Sequence, residues 1–451
     1  MTQLFPFTSF PFRLSAVASI VLLGLNPTST MAGAFSLFGE ANGRNAGDFA
    51  AGAAADAEDA STLFYNPAGL VHLKGKQLVL GGTIVKAKST LSDDAYLSLT
   101  TSGFSGSSVF SINGLDSTQT AVIPSFFYSK NVSNKLTWGV GVYAPFGLST
   151  NWAESSNARY SATLSKLEVI NVAPALGVKI NRKLSFGAAL DIQLGTVDFN
   201  SVGGVSTSTI SDSISTNHGT SVGFGGHIGL MYQPTVSTRL GLNYQSAIMH
   251  QFYGKSTLVG MLADPNLTDP SYVSSTDSLF SDPISMPAQI TLSAMHQLTE
   301  KLTLGSTVAF TQWSVFESIG LNNVIGQEGI PMDKPIIVSE NFRNTWRIAG
   351  GMKYQWTDKI KLRMGLGYDQ SPANNVDRNL RLPDSDRIAL AAGVHYQATS
   401  TVGFDLGWTH LFIKDTRIDN TASFGDNVIY VNGGVKSNVD LIGGQMTWKI
   451  S

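Results

Sequence analysis

From about Gln77 onward the chain alternates apolar and polar residues with a period of two, in segments joined by turns that are short, then long, then short again. The last third shows this most clearly. Trp346, Ile348, Met352, Tyr354 and Trp356 share one face of a segment, and Arg347, Ala349, Gly351, Lys353 and Gln355 share the other. In the next segment Ile360, Leu362, Met364, Leu366 and Tyr368 oppose Lys361, Arg363, Gly365, Gly367 and Asp369. A soluble sheet alternates too, but seldom through so many successive hairpins. An outer face against lipid and an inner face against a polar lumen explains the whole run.

The short connections are residues 131–135, 181–183, 234–237, 298–301, 357–359 and 398–400, each polar or marked by proline. Between them lie long polar stretches at 89–117, 150–165, 201–221, 254–283, 321–342, 370–385 and 415–432. Short turns interleaved with long loops in this way predict an all-β protein, an antiparallel transmembrane β-barrel of about fourteen strands with both ends on the periplasmic side. Tyr128, Trp138, Tyr232, Trp356 and Tyr396 all fall beside short turns, as an interfacial aromatic girdle would.

The first residues carry Arg13, an apolar run over 14–25 and small residues up to Ala32, the pattern of a secretory signal peptide over 1–32. The run is too short to span about 30 Å of hydrocarbon. Residues 33–74 are small and acidic, with Glu40, Asp48, Asp56, Glu58 and Asp59 outweighing Arg44, and cannot form a barrel strand. Two readings are open for them: a disordered periplasmic tail, or a plug (hatch) inside a barrel formed by 75–451. A wide barrel has a polar lumen to fill, and basic inward residues there would face the acidic segment. Within it Pro67 forbids a helix through Asn66-Pro67-Ala68.

Composition narrows the function. Charged residues are 14% of the chain, against about 25% in ordinary soluble domains. A net charge of −2 supplies no field for nucleic acid, and the absence of cysteine excludes thiol metal sites and disulfides. The seven histidines lack metal spacing, so neither catalysis nor a metal or other cofactor is expected.

Three of the sixteen prolines lie inside predicted strands: Pro124, Pro145 and Pro174, in the second, third and fourth. Proline donates no ladder hydrogen bond, so each marks an interruption of the wall. Either these are bulges that shape the barrel, or they frame a lateral opening towards the bilayer.

Taken in order, Tyr65-Asn66-Pro67-Ala68-Gly69, Tyr143-Ala144-Pro145-Phe146-Gly147-Leu148, Gln312-Trp313-Ser314, Trp346-Arg347-Ile348-Ala349, Asp369-Gln370-Ser371-Pro372 and Leu382-Pro383-Asp384-Ser385-Asp386-Arg387 resemble the FadL-type outer-membrane transporters of long-chain fatty acids and other hydrophobic compounds. The resemblance implies an inward kink in the third strand, here Ala144, Pro145, Phe146 and Gly147, that makes a side portal. It also implies a basic ligand-binding residue at Arg343. Strand direction places Arg343, Arg347, Asp369 and Arg387 together in the upper lumen. Asp369 is expected to pair with Arg387, leaving Arg343 and Arg347 as candidates for a ligand carboxylate. Leu258, Val259, Met261 and Leu262 form an apolar patch in a long loop, a candidate capture surface. The expected function is passive outer-membrane uptake of a long-chain fatty acid by a monomer, with lateral release into the lipid of the bilayer. Uptake of an uncharged hydrophobe such as an aromatic hydrocarbon is the alternative.

Overall fold

The computed structural model describes residues 35–101, 106–204, 210–424 and 427–450, so the expected signal peptide lies outside the described residues. The wall begins with β1 (Lys76–Leu91), β2 (Asp116–Ser133), β3 (Leu136–Asn151), β4 (Leu164–Lys179) and β5 (Leu184–Phe199). It continues with β6 (Ser213–Tyr232), β7 (Thr238–Gln245), β8 (Gln289–Gln297), β9 (Leu302–Thr311) and β10 (Thr345–Gln355). β11 (Ile360–Asp369), β12 (Arg387–Gln397), β13 (Val402–Ile413) and β14 (Asn427–Ile450) complete it. Each strand pairs antiparallel with the next, and β14 returns to β1 from Lys76↔Ile450 to Leu91↔Val435, closing a fourteen-stranded barrel. Closure pairs the first strand with the last, so no strand is left at the end of an open sheet, as hydrocarbon requires.

The period-two reading holds along the wall. Trp346, Ile348, Leu366, Ile388, Leu406 and Phe412 are exposed on the outside, where lipid covers them. Trp138, Tyr232, Trp356 and Tyr396 are exposed beside the short turns, as the girdle requires. Several long connections depart from expectation, because much of their length is strand. Tyr96–Thr101 pairs with the upper part of β14, Tyr253–Val259 with the upper part of β6, and Thr416–Phe424 with β14 again. Above the membrane, pairing continues without needing an apolar face, so a polar composition concealed it.

The segment from Phe35 to Leu73 sits inside the barrel, almost entirely buried. It is a run of tight turns and single helical turns, the longest being Pro67–His72, with Pro67 at its start and the Asn66 side chain accepting from Ala68 N–H at 3.0 Å. Its backbone runs against the wall, and this accounts for many of the chain's 45 glycines. Gly177, Gly187 and Gly229 form one rung across β4, β5 and β6, beneath Asn66 and Pro67. A Cβ on Gly229 would lie 1.9 Å from Asn66 Oδ1, and one on Gly187 would lie 2.2 Å from Pro67 C. Gly305, Gly351 and Gly365 make a second rung under Asp48 to Gly52, and Gly393, Gly407 and Gly443 a third under Gly43 to Gly47.

Charge pins the segment at the periplasmic end. Arg44 bridges Asp56 at 3.1 Å and Asp59 at 2.9 Å, while Lys353 of β10 holds Asp56 at 2.7 Å. Glu58 takes Arg363 at 2.8 Å and Lys361 at 3.1 Å, both from β11. The acidic residues of the hatch therefore meet basic residues on inward strand positions. On the opposite wall His227 spans two partners, Leu63 O at 2.9 Å and Asp191 at 2.9 Å.

Two substitutions test this seat. Arg44→Ala leaves Asp56 and Asp59 buried without their main cation and is expected to cost about 3–5 kcal/mol, read from the urea midpoint of the folded barrel. Gly229→Leu is expected to unseat Asn66 and raise single-channel ion conductance in planar bilayers severalfold, with the barrel still folded.

Candidate functional site

The wall is breached between β2 and β3. Their ladder runs from the Ser133 turn to Phe126↔Val142 and stops, although β2 stays paired with β1 through Pro124 and beyond. Extending that register would set Pro124 opposite Ala144. β3 meanwhile keeps β4, with a register shift between Tyr143 and Phe146 that spans Ala144 and Pro145. Two of the three wall prolines therefore bracket a real gap. Pro174 behaves differently: the β4–β5 ladder skips it and resumes at Val172↔Ile192 in unchanged register, so the wall stays closed there and Pro174 is not part of the opening.

The hatch supplies what β2 withholds. Leu37 N–H donates to Pro145 O at 2.9 Å, Gly147 N–H donates to Phe35 O at 2.8 Å, and Ser36 bridges Phe146. Residues 35–37 thus lie as a short strand on the edge of β3 that β2 has left, satisfying groups that would otherwise face lipid unpaired. Tyr143, at the base of the kink, joins a buried cluster with Asn171 and Asp191, and Asp191 continues to His227 and the hatch.

Phe35 anchors this segment. Its ring meets Trp313 at 4.7 Å and Phe316 at 5.2 Å, both edge-on, with Phe146 and Phe342 just beyond 6 Å. Phe35, Phe316 and Phe342 line a narrow cavity with about 50 Å³ of free space, together with Leu148, Phe252, Ile284 and Met286. One guanidinium reaches this apolar cavity, that of Arg381 from the loop between β11 and β12. It is buried, stacks over Phe199 at 3.5 Å and donates to Ser165 Oγ, Asn200 O and Ser161 O at 2.8 to 3.1 Å. Burial draws its pKa down to about 9, so it is still a cation at neutral pH. Glu340 lines the same cavity, and burial pushes its carboxyl up to about 8, so it is protonated there. A buried positive charge beside a neutral acid and aromatic walls suits an anionic head with an apolar tail.

The charges expected to serve this role sit elsewhere. Arg343 precedes the first residue of β10, so strand parity does not reach it. It turns outward, is 58% exposed at its side chain, and pairs with Asp386 at 3.3 Å, while its neighbour Phe342 enters the cavity. Arg347 faces the lumen as expected but is committed: it pairs with Asp369 at 3.3 Å and lies over the Phe49 ring at 3.6 Å. Arg387 takes Asp384 at 2.8 Å as its near partner, with Asp369 at 3.9 Å. Arg381 was missed because its loop carries no periodicity. The one available signal was an arginine next to the Leu382-Pro383-Asp384 motif.

Leu258 and Leu262 are buried, not displayed. With Tyr160, Ile325, Met332 and Phe424 they line an extracellular pocket of about 670 Å³ between the loops, and Val259 and Met261 are half-buried beside it. The apolar patch is thus the wall of a concave surface.

A lipid-facing barrel, filled by its own N-terminal segment and breached between β2 and β3, is a plugged outer-membrane channel. The chain belongs to the family of outer membrane protein transport proteins (OMPP1/FadL/TodX), which matches residues 24–449. It is 27% identical over 439 residues to a putative outer membrane protein, NMB0088, of Neisseria meningitidis, covering 90% of this chain and 92% of the relative. To the long-chain fatty acid transport protein of Escherichia coli O6:H1 it is 23% identical over 445 residues, covering 92% and 94%. Among solved structures it is similar to a Pseudomonas aeruginosa FadL homologue, with TM-score 0.78, 22% identity and coverage of 94% and 100%. It is also similar to the CymD monoaromatic hydrocarbon channel, with TM-score 0.67, 20% identity and coverage of 92% and 99%.

Phe35→Ala is expected to release residues 35–37 from β3. The readout is leakage of a small hydrophobic dye from vesicles holding the purified barrel, which should rise severalfold over the unchanged protein.

Proposed function

We propose that this outer-membrane protein takes up long-chain fatty acids passively, and that it is a transporter and not an enzyme. The observation that carries the substrate is Arg381, a buried cation on a largely apolar cavity, beside Glu340, whose carboxyl burial holds neutral; Lys166 and Asp198 border the same cavity. A fatty acid would settle first in the loop pocket around Leu258 and Leu262. Its carboxylate would then reach Arg381 while its tail displaces the Phe35 ring. Displacing Phe35 withdraws residues 35–37 from β3 and opens the gap bounded by Pro124 and by Ala144 to Gly147, through which the ligand leaves sideways. Asn66, Pro67 and Ala68, seated on their glycine rung, hold the rest of the hatch in place. No nucleotide or covalent step is needed, since a concentration gradient suffices.

The second reading, an uncharged aromatic hydrocarbon, is favoured by the ring-lined cavity. Arg381 separates the two. Arg381→Ala is expected to weaken oleate binding at least tenfold and to leave toluene binding unchanged, measured on the purified barrel with Arg381→Lys as the control for loop folding. Equal oleate affinity in both proteins sinks the carboxylate role.

Protonation gives a further test. As pH rises through about 8, Glu340 ionises and its charge competes for Arg381, so oleate affinity should fall over that interval. Glu340→Gln should remove most of that fall, compared at the same pH values so that the ligand's own titration cancels.

A further inference from the structure

β6 and β7 also part, on a different flank of the barrel. Their ladder runs from Leu240↔Tyr232 to Gln245↔His227 and ends. Higher up, β6 regains a partner at Thr220, opposite Tyr253. Across residues 221–226 β6 is laddered only to β5, and among the described residues a single backbone bond crosses the opening, from Ser246 N–H to Gly226 O at 2.9 Å. Six residues at about 3.3 Å each make a slit roughly 20 Å long.

The strands that should fill it have turned inward. β7 and β8 remain paired at Gln245↔Gln289, and their pairing continues in the same register as a ribbon, from Ile248↔Met286 to His250↔Ile284. Ile248, His250 and Phe252 lie against glycines of the inner wall, where a Cβ on Gly223 would sit 2.7 Å from Ile248 Cγ2. Two polar pins hold the ribbon: Ser221 Oγ donates to His250 Nδ1 at 2.8 Å, and His250 Nε2 donates to Gln193 Oε1 at 3.0 Å.

The ribbon has different surroundings on its two faces. Outside, Met249, Gln251, Tyr253 and Pro283 join Leu194 and Val222 around a notch of about 690 Å³. Inside, Phe252, Ile284 and Met286 line the cavity that contains Phe35 and Arg381. The outward residues of β6 are apolar from Tyr232 through Leu230, Ile228 and Phe224 to Val222, and then become Thr220, His218 and Thr216. The slit therefore lies in the outer half of the hydrocarbon band, at the depth of outer-leaflet chains. An unpaired strand edge is costly at that depth, which sets this place apart from the laddered wall around it.

We propose that this slit is a second side passage, by which an acyl chain dissolved in the outer leaflet slides between Val222 and Met249, displaces the ribbon and enters the Arg381 cavity. The inference rests on the transport reading above and adds a lipid-side route to it, leaving the β2–β3 gap, four strands away, for release.

The absence of cysteine allows a clean test. Gly223→Cys with Ile248→Cys places a sulfur where Ile248 Cγ2 now stands, within disulfide reach of the new Cβ. Oleate carrying a diazirine in its tail is incorporated into vesicles holding the full-length barrel, and labelled residues are mapped after irradiation. The expected result is labelling at Val222, Met249 and Phe252 that drops at least fivefold in the oxidised double variant and returns with reductant. Oleate uptake by the reduced protein with no label at these residues overturns the passage and leaves transport standing. A reduced protein that neither takes up oleate nor is labelled anywhere overturns the transport reading and the passage together.

Discussion

Every backbone N–H and C=O inside the hydrocarbon must have a partner, and the rest of this structure follows from how that demand is met. Fourteen strands meet it by closing on themselves. Where β3 leaves β2, residues 35–37 meet it by lying along the exposed edge. Sealing the wall and plugging the lumen are therefore tasks of one segment, and moving that segment for the sake of a ligand necessarily opens the flank. In the proposed uptake, this would link occupation of the cavity around Phe35 to lateral exit without any long-range relay.

The hatch is held by two means that act differently. Its periplasmic half is fixed by coupled charges, with Arg44, Lys353 and Arg363 shared among Asp56, Glu58 and Asp59. Breaking one such pair strands a buried charge, so this half has reason to stay put. Its leading end is held by ring packing and two backbone bonds, which an apolar ligand can replace with contacts of its own. The glycine rungs allow the backbone to lie flush against the wall between these ends, which fills that part of the lumen with little side-chain bulk.

Charge around the cavity follows the same logic of commitment. Arg347, Arg363 and Arg387 are all balanced by carboxylates of the protein. Arg381 is held by hydroxyl and carbonyl oxygens, which position it without neutralising it. That difference makes Arg381 the cation with something left to offer a ligand.

The sequence alone was enough for the barrel, its strand number, its lipid-facing residues and the location of two wall prolines, because alternation, turn chemistry and proline's missing N–H are local properties that survive in any register. Pro174 shows the limit: the same local defect leaves the wall closed, since its neighbours resume pairing. Arg343 shows another, because parity counts only while the strand lasts and β10 begins two residues later. Which arginine meets the cavity, which end of the hatch completes β3 and where β7 leaves β6 were decided by tertiary structure. Each depends on loops and strands distant in sequence competing for the same backbone partners and the same enclosed space, and that competition leaves no period in the chain to read.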